Sequence, residues 1–345
     1  MKKIILISFL FLLFITRSFA QGTEESLVHW MGLNEAMEKY KTQPKPILID
    51  FYTDWCGWCK VMMKNTYSSP DISDYINTNF YPVKFNGEGK DTVNFLGKQY
   101  VSPSPAPRTT HDFANKMLGG KLMYPTTVFL NHYNPEKNEF NLNMVAPGYL
   151  DIPKISPMLV YTLEYVFRNA TYDDFRVHYE ELFGDSLLGK HQERVTWLQP
   201  SEVFGSTLPR KKKTLALISA SWCNSCKVMK FTSFIDTSFC VYLGKKFDLV
   251  DFDANITDTL VYKGQKFINS MTEQSPFHQL VFTLTKGTLN LPSLVVLDEN
   301  LELVDVIPIY ISPGFLDEII HYYGEDLHKK KSWQDYITER RKAKP

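Results

Sequence analysis

The apolar positions of this chain switch repeatedly between a helical period and the continuous runs of buried strands. Residues 33–40 carry apolar side chains at helical spacing, and residues 46–52 form an apolar run of buried-strand type, broken only by Asp50. A helix is predicted to open at the cysteines that follow. A second strand is predicted over 81–85, a helix over 91–100, strands over 126–131 and 139–145, and a closing helix from Asp151. Before the third strand, Pro103, Pro105 and Pro107 mark a stiff loop, and residues 110–118 read as an inserted helix stopped by Gly119-Gly120. Strands alternating with helices predict an α/β sheet covered on both faces.

The pattern then repeats. Trp55-Cys56-Gly57-Trp58-Cys59-Lys60-Val61-Met62 returns as Trp222-Cys223-Asn224-Ser225-Cys226-Lys227-Val228-Met229, and Pro125 and Pro292 each follow the first cysteine of their copy by 69 residues. At the same offset Trp30 pairs with Trp197, Phe85 with Phe252, Gly97 with Gly264, His111 with His278 and Gly120 with Gly287. One residue is then lost, and Pro147-Gly148-Tyr149-Leu150-Asp151 is matched with Pro313-Gly314-Phe315-Leu316-Asp317. In the second copy Ser275-Pro276 reads as the N-cap and first residue of the inserted helix, which runs to Lys286. A tandem duplication of one domain follows.

The ends have their own pattern. Lys2-Lys3, an apolar run over 4–15 and Ser18-Phe19-Ala20 read as an export signal over 1–20, cleaved before Gln21. The expected organisation is a domain over 21–167, a helical linker over 168–193, a second domain over 194–325 and a basic tail over 326–345 read as a solvated helix end. In the linker, Tyr172, Phe175, Tyr179, Leu182 and Phe183 share one helical face. No later run is long and apolar enough for a stable membrane span, so the expectation is a soluble protein of the periplasm or another exported compartment.

Composition changes this picture little. The 345 residues, 44% hydrophobic and 22% charged, suit two globular domains. Lys+Arg and Asp+Glu both number 38, which excludes a general attraction to nucleic acid. No glycine-rich phosphate loop precedes a helix, so no nucleotide or flavin cofactor is expected.

Five cysteines are too few for a disulfide scaffold of this length. Four lie in the two Cys-x-x-Cys pairs, and Cys240 is left over, read as a small core residue with a regulatory or intermolecular thiol as the alternative. A first cysteine at a helix start faces unpaired N–H groups and the positive end of the helix dipole, which favour a thiolate. The second, one turn on, can attack the resulting mixed disulfide. The rival use is zinc, but ribbon-type sites bring their pairs within about 15–20 residues, and these lie far apart. No metal is expected. His111 and His278 share a repeat position and read as helix-packing or surface histidines, with a proton shuttle near the cysteines as the alternative.

The run 47–60, with Asp50 six residues before Cys56, and the stretch Tyr124-Pro125-Thr126-Thr127 resemble the active-site region and cis-proline strand of the thioredoxin superfamily. The inserted helix and the Asp54-Trp55-Cys56 lead resemble thioredoxin-like domains that act as thiol–disulfide reductases in bacterial envelopes. The resemblance covers both copies. It implies two tandem thioredoxin-like domains, each a central mixed sheet flanked by helices, with an inserted helix before the cis-proline strand. It further implies Cys56 as nucleophile, Cys59 as resolving thiol, Asp50 as the buried acid managing its proton, Lys84 facing that acid, and Trp55, Tyr124 and Pro125 as the substrate wall. In the second copy Cys223 and Cys226 take the cysteine roles, with Trp222, Leu291 and Pro292 as wall. Leu217 there replaces the acid and Asp251 replaces the lysine, so Asp251 is either exposed and paired elsewhere or a substitute base.

Strongly oxidising members of the superfamily carry a histidine before the second cysteine, and this chain has Trp58 and Ser225 there. The expectation is therefore a reductase of disulfide-bearing exported proteins, reset by a membrane-bound thiol donor. The second pair is either a relay or a separate site. The alternatives are a disulfide oxidase or isomerase, and a partly non-catalytic binding module.

Overall fold

The computed structural model describes residues 26–184, 194–205, 210–270, 272 and 276–343. The expected leader and Ser275 lie outside them. The first copy contains α1 (Leu33–Thr42), β1 (Ile47–Tyr52), α2 (Gly57–Asn65), α3 (Pro70–Asn79), β2 (Tyr81–Asn86), β3 (Val93–Phe95), β4 (Lys98–Tyr100), α4 (Asp112–Leu118), β5 (Thr126–Asn134), β6 (Glu139–Pro147), α5 (Ile152–Leu163) and α6 (Tyr172–Phe183). The second contains β7 (Trp197–Leu198), α7 (Pro200–Val203), β8 (Lys213–Ser219), α8 (Asn224–Ser233), α9 (Thr237–Lys246), β9 (Phe247–Asp253), β10 (Leu260–Tyr262), β11 (Gln265–Phe267), α10 (Gln279–Leu284), β12 (Ser293–Leu297), β13 (Leu303–Ile307), α11 (Pro313–Gly324) and α12 (Trp333–Ala343).

Each copy folds around its own mixed sheet, ordered β2-β1-β5-β6 in the first and β7-β9-β8-β12-β13 in the second. The strand leading to each cysteine pair is central, parallel to one neighbour and antiparallel to the other. Met31 makes a parallel bridge to Val83, where the second copy has β7. The apolar runs of β1 and β8 are buried because helices cover both faces. The two domains are thus the tandem α/β sheets implied by the resemblance. No helix among the described residues is long and apolar enough to cross a membrane.

Three expectations change. Residues 91–100 are not a helix but the hairpin β3–β4. Val93 and Phe95 are buried with period two, Tyr100 is buried opposite Val93, and Leu96 and Gly97 close the turn at φ 51° and 78°. Two-residue hairpin loops need such positive φ values. Lys263 and Gly264 do the same in β10–β11, which explains the Gly97–Gly264 match. Second, the inserted helix of the second copy starts at Gln279 with His278 as N-cap. Asn255 and Asn269 donate to the Pro276 carbonyl and hold it outside the helix.

Third, the Pro-Gly-aromatic-Leu-Asp matches are not equivalent in space. Asp151 is the N-cap of α5, whereas Pro313 to Asp317 already form the first turns of α11 under the N-cap Ser312. The hairpin β12–β13 is shorter than β5–β6, so the register moves. The helices α5 and α11 correspond, each followed by a residue at positive φ (Tyr165, Asp326) and a 3₁₀ turn (Val166–Arg168, Leu327–Lys329). The linker helix α6 and the tail helix α12 are therefore the same repeated element. Thr171 with Asp174 caps one and Ser332 with Asp335 the other. The tail is not simply solvated: Tyr336 and Ile337 are buried, and Arg340 pairs with Asp317.

One core cluster crosses the copies. Leu142, Val160, Tyr161, Phe175 and Leu182 of the first pack with Val228, Met229, Tyr310 and Ile311 of the second. Phe175 is fully buried and meets Tyr310 edge-on at 5.4 Å. Phe175→Ala is expected to cost about 3–5 kcal/mol and to lower the thermal unfolding midpoint. An unchanged midpoint would show that this shared core does not hold the domains together.

Candidate active sites

At the first site β1 ends in a short turn and Cys56 becomes the N-cap of α2, its Sγ accepting the Cys59 N–H at 3.1 Å. Cys56 and Cys59 form a disulfide with Cα atoms 5.3 Å apart. Among the described residues nothing accepts the Gly57 or Trp58 N–H, so the positive end of α2 is open beside Cys56. Tyr124-Pro125 is a cis peptide. The Tyr124 ring meets Trp55 edge-on at 6.3 Å, which places this wall beside the cysteines. Gly87 makes room for it, since a Cβ there would fall 2.1 Å from the Tyr124 hydroxyl.

Asp50 sits on β1 with no exposed surface, between Lys84 of β2 and Thr127 of β5 in register. Neither carboxylate oxygen has a hydrogen-bond partner in reach, and the nearby Tyr67 hydroxyl pairs with Thr127 Oγ1 at 3.3 Å. Burial pushes the Asp50 carboxyl up to about 7, against the opposing pull of Lys84 and Tyr67. Lys84 itself is exposed, its ammonium 5.0 Å from the Tyr52 ring centre.

Around this site the surface is apolar and open. Trp55 is 57% and Trp58 63% exposed, and Val61, one turn after Trp58, and Met123, next to Tyr124, are exposed too. Trp55 Nε1 donates to the Glu88 carboxylate at 3.1 Å, and Trp58 lies against Tyr149. A cavity of about 830 Å³ runs from Trp30 and Lys84 to Cys59. A larger one, about 960 Å³, lies among Met37, Tyr40, Tyr133 and Phe140 and touches no cysteine.

The second site repeats the scaffold. Cys223 caps α8, forms a disulfide with Cys226, and faces the cis peptide Leu291-Pro292 across a cavity that both line. Trp222 is exposed like Trp55, but Ser225 and Val228, at the positions of Trp58 and Val61, are buried. The first domain covers that side. Leu217 replaces the acid and is buried. Asp251 lies partly exposed, its carboxylate paired with Lys230 Nζ at 2.6 Å, the arrangement expected of the paired rather than the buried-base alternative.

The two histidines are structural. The His111 Nδ1 accepts the Phe113 N–H at 3.0 Å, leaving Nε2–H to donate to the Asp91 carbonyl at 2.7 Å. His278 does the same with Leu280 and Asp258, and burial lowers its affinity for a proton. Cys240 is buried in the shared core, and burial pushes its thiol pKa up. The residue that sequence reading missed is Glu164, the C-cap of α5. It lies far from the second motif in sequence, yet its carboxylate accepts the Asn224 and Ser225 N–H groups at 3.1 and 2.7 Å.

A family model described as "Thioredox_DsbH: Protein of unknown function, DUF255" matches residues 13–104. No curated protein matches the chain. Among solved structures, a thioredoxin from Thermus thermophilus is 15% identical over 38% of this chain and 84% of its own, with a TM-score of 0.29. A structure titled "DsbH Oxidoreductase" is 17% identical over 41% of this chain and 87% of its own, at 0.28. The structure titled "Crystal structure of ERdj5 form I" is 10% identical over 87% of this chain and 30% of its own, also at 0.28. The thioredoxin fold of the two domains is read from the strand order, the cysteine-capped helices and the two cis-proline strands.

Proposed function

We propose that this chain, two thioredoxin folds in tandem, is an exported thiol–disulfide oxidoreductase that reduces protein disulfides at Cys56 and Cys59. The observation that carries the reading is the disulfide-bonded pair that caps a helix beside a cis-proline wall, with the fully buried Asp50 on the strand that leads into it. In the reduced enzyme the Cys56 thiolate attacks a substrate disulfide and expels one substrate thiolate, giving a mixed disulfide. Asp50 takes the proton of Cys59. The Cys59 thiolate then attacks Cys56 Sγ, the second substrate thiol leaves, and the Cys56–Cys59 disulfide forms. A thiol donor at the membrane resets the pair.

The exposed Trp55, Trp58 and Met123 give a protein substrate an apolar surface to rest on. The absence of a cation at Trp58 favours the reducing direction, since the Cys56 thiolate then has only the helix end to stabilise it and the dithiol is less favoured than in a member with a histidine there. The test is the potential of the Cys56–Cys59 pair in glutathione buffers. The reductase reading expects a value near that of thioredoxin, about −270 mV. A value near about −120 mV would make it an oxidase, and a pair that never exchanges with glutathione would end the enzymatic reading.

A further inference from the structure

The second cysteine pair has a neighbour that the first lacks. Glu164 reaches from the end of α5, in the first domain, onto the N-terminus of α8, in the second. Besides the two N–H bonds, its Oε2 lies 3.6 Å from Cys223 Sγ. The residue as a whole is partly exposed, but its carboxyl group turns inward, and burial raises its affinity for a proton. The charged and titratable groups around it are Lys227 of α8, Tyr75 of α3, Tyr179 of α6 and Arg168 on the rim of the shared cavity. That cavity, about 640 Å³, is walled by both domains and opens on Trp222, Cys223 and Leu291. The acid that β8 lacks at Leu217 is thus matched by one brought in from the other domain, at the attacking sulfur.

We propose that Glu164 is a catalytic residue of the second pair, a carboxyl group supplied by the first domain that takes the proton of Cys223 and returns it to the departing thiol. The inference rests on the oxidoreductase reading of the fold's cysteine pairs. In the reduced pair, Cys223–SH beside the Glu164 carboxylate exchanges its proton to give a thiolate and a carboxylic acid. The thiolate attacks a disulfide R–S–S–R′, forming Cys223–S–S–R and breaking the S–S bond. The leaving R′–S⁻ collects the proton from Glu164, so the carboxylate is restored and atoms and charge balance. Two anions cannot share this helix end without cost, so carboxylate and thiol hold one proton between them.

The experiment uses the full-length chain carrying Cys56→Ser and Cys59→Ser, with the second pair reduced. Two rates are followed from about pH 5 to about pH 10, spanning the carboxyl and thiol ranges. Alkylation by iodoacetamide needs only the thiolate. Exchange with hydroxyethyl disulfide also needs a proton for a basic leaving group. Glu164→Gln is expected to lower the alkylation midpoint of Cys223 by about one unit or more, because a neighbouring anion is gone. It should also slow exchange, per thiolate, by about tenfold or more. Glu164→Asp, which keeps the charge on a shorter arm, should restore the midpoint. An alkylation midpoint that Glu164→Gln leaves in place overturns the proposal, as does an unchanged exchange rate per thiolate. A parent protein whose Cys223 exchanges with no disulfide overturns it too. Failure of the first site leaves these rates untouched, so the two readings fail separately.

Discussion

Insulin reduction with dithiothreitol as donor is expected to fall to background in Cys56→Ser and to persist in Cys223→Ser. The two sites carry the same motif, but they present it differently. At the first, the Gly57 and Trp58 N–H groups are open to stabilise a Cys56 thiolate, and exposed tryptophans flank the sulfur. At the second, Glu164 occupies the corresponding N–H groups, and Ser225 and Val228 are covered by the first domain. A small dithiol can reset the first pair directly, so loss of the second should not slow this assay. Equal losses in both variants would mean that electrons must pass through Cys223 even here. No loss in either would remove the enzymatic reading altogether.

Asp50→Asn is expected to be a slower and more stable protein. At pH 8 its insulin reduction should drop by about 10²-fold, the lower end of what a positioned base contributes. Near pH 5 wild type and variant should converge, since Asp50 is then protonated and, like the amide, cannot accept a proton. The stability sign follows from the raised pKa. Unfolded, the carboxyl ionises near its ordinary 3.8; folded, near about 7. Between those values the folded protein binds the extra proton, so wild-type stability falls as pH rises through this window and is flat above it. The ionised, buried carboxylate costs roughly 4 kcal/mol above the window, and an unpartnered buried amide gives back about 1–3 kcal/mol of that gain. Asp50→Asn should therefore be about 1–3 kcal/mol more stable at pH 8 and should lose the slope between pH 4 and 7. Thermal unfolding across that range checks both. A variant that keeps the wild-type slope would show that Asp50 does not titrate there.

Much of this was legible in the chain. The runs of β1 and β8 announce themselves because a strand buried on both faces leaves no polar alternation to confuse with a loop. The cysteine-capped helices are legible because capping depends on the few residues around each motif. Residues 91–100 misled because Val93, Leu96 and Tyr100, at i, i+3 and i+7, fit a helical face while Val93 and Phe95 fit a pleat over the same short span. The Leu96-Gly97 turn was the signal that could have decided it. The repeat was readable up to the cis-proline strands, and then a shortened hairpin shifted the register. That shift disguised α6 and α12 as a linker and a tail, although both carry the same Thr/Ser–Asp cap.

The sequence alone determined that the Cys-x-x-Cys motif is doubled here, and that the strand before the first pair holds an acid where the strand before the second holds Leu217. These are properties of residues close in sequence or set on neighbouring strands by a shared pattern. Only the tertiary structure decided what stands beside each sulfur. Glu164 reaches Cys223 because α5 and α6 bury Phe175 and Leu182 against the second domain. No local pattern encodes a contact between residues so distant in the chain, since it exists only once the two cores are joined. The buried state of Ser225 and the ion pair that draws Asp251 to Lys230 arise in the same way, from packing rather than from spacing.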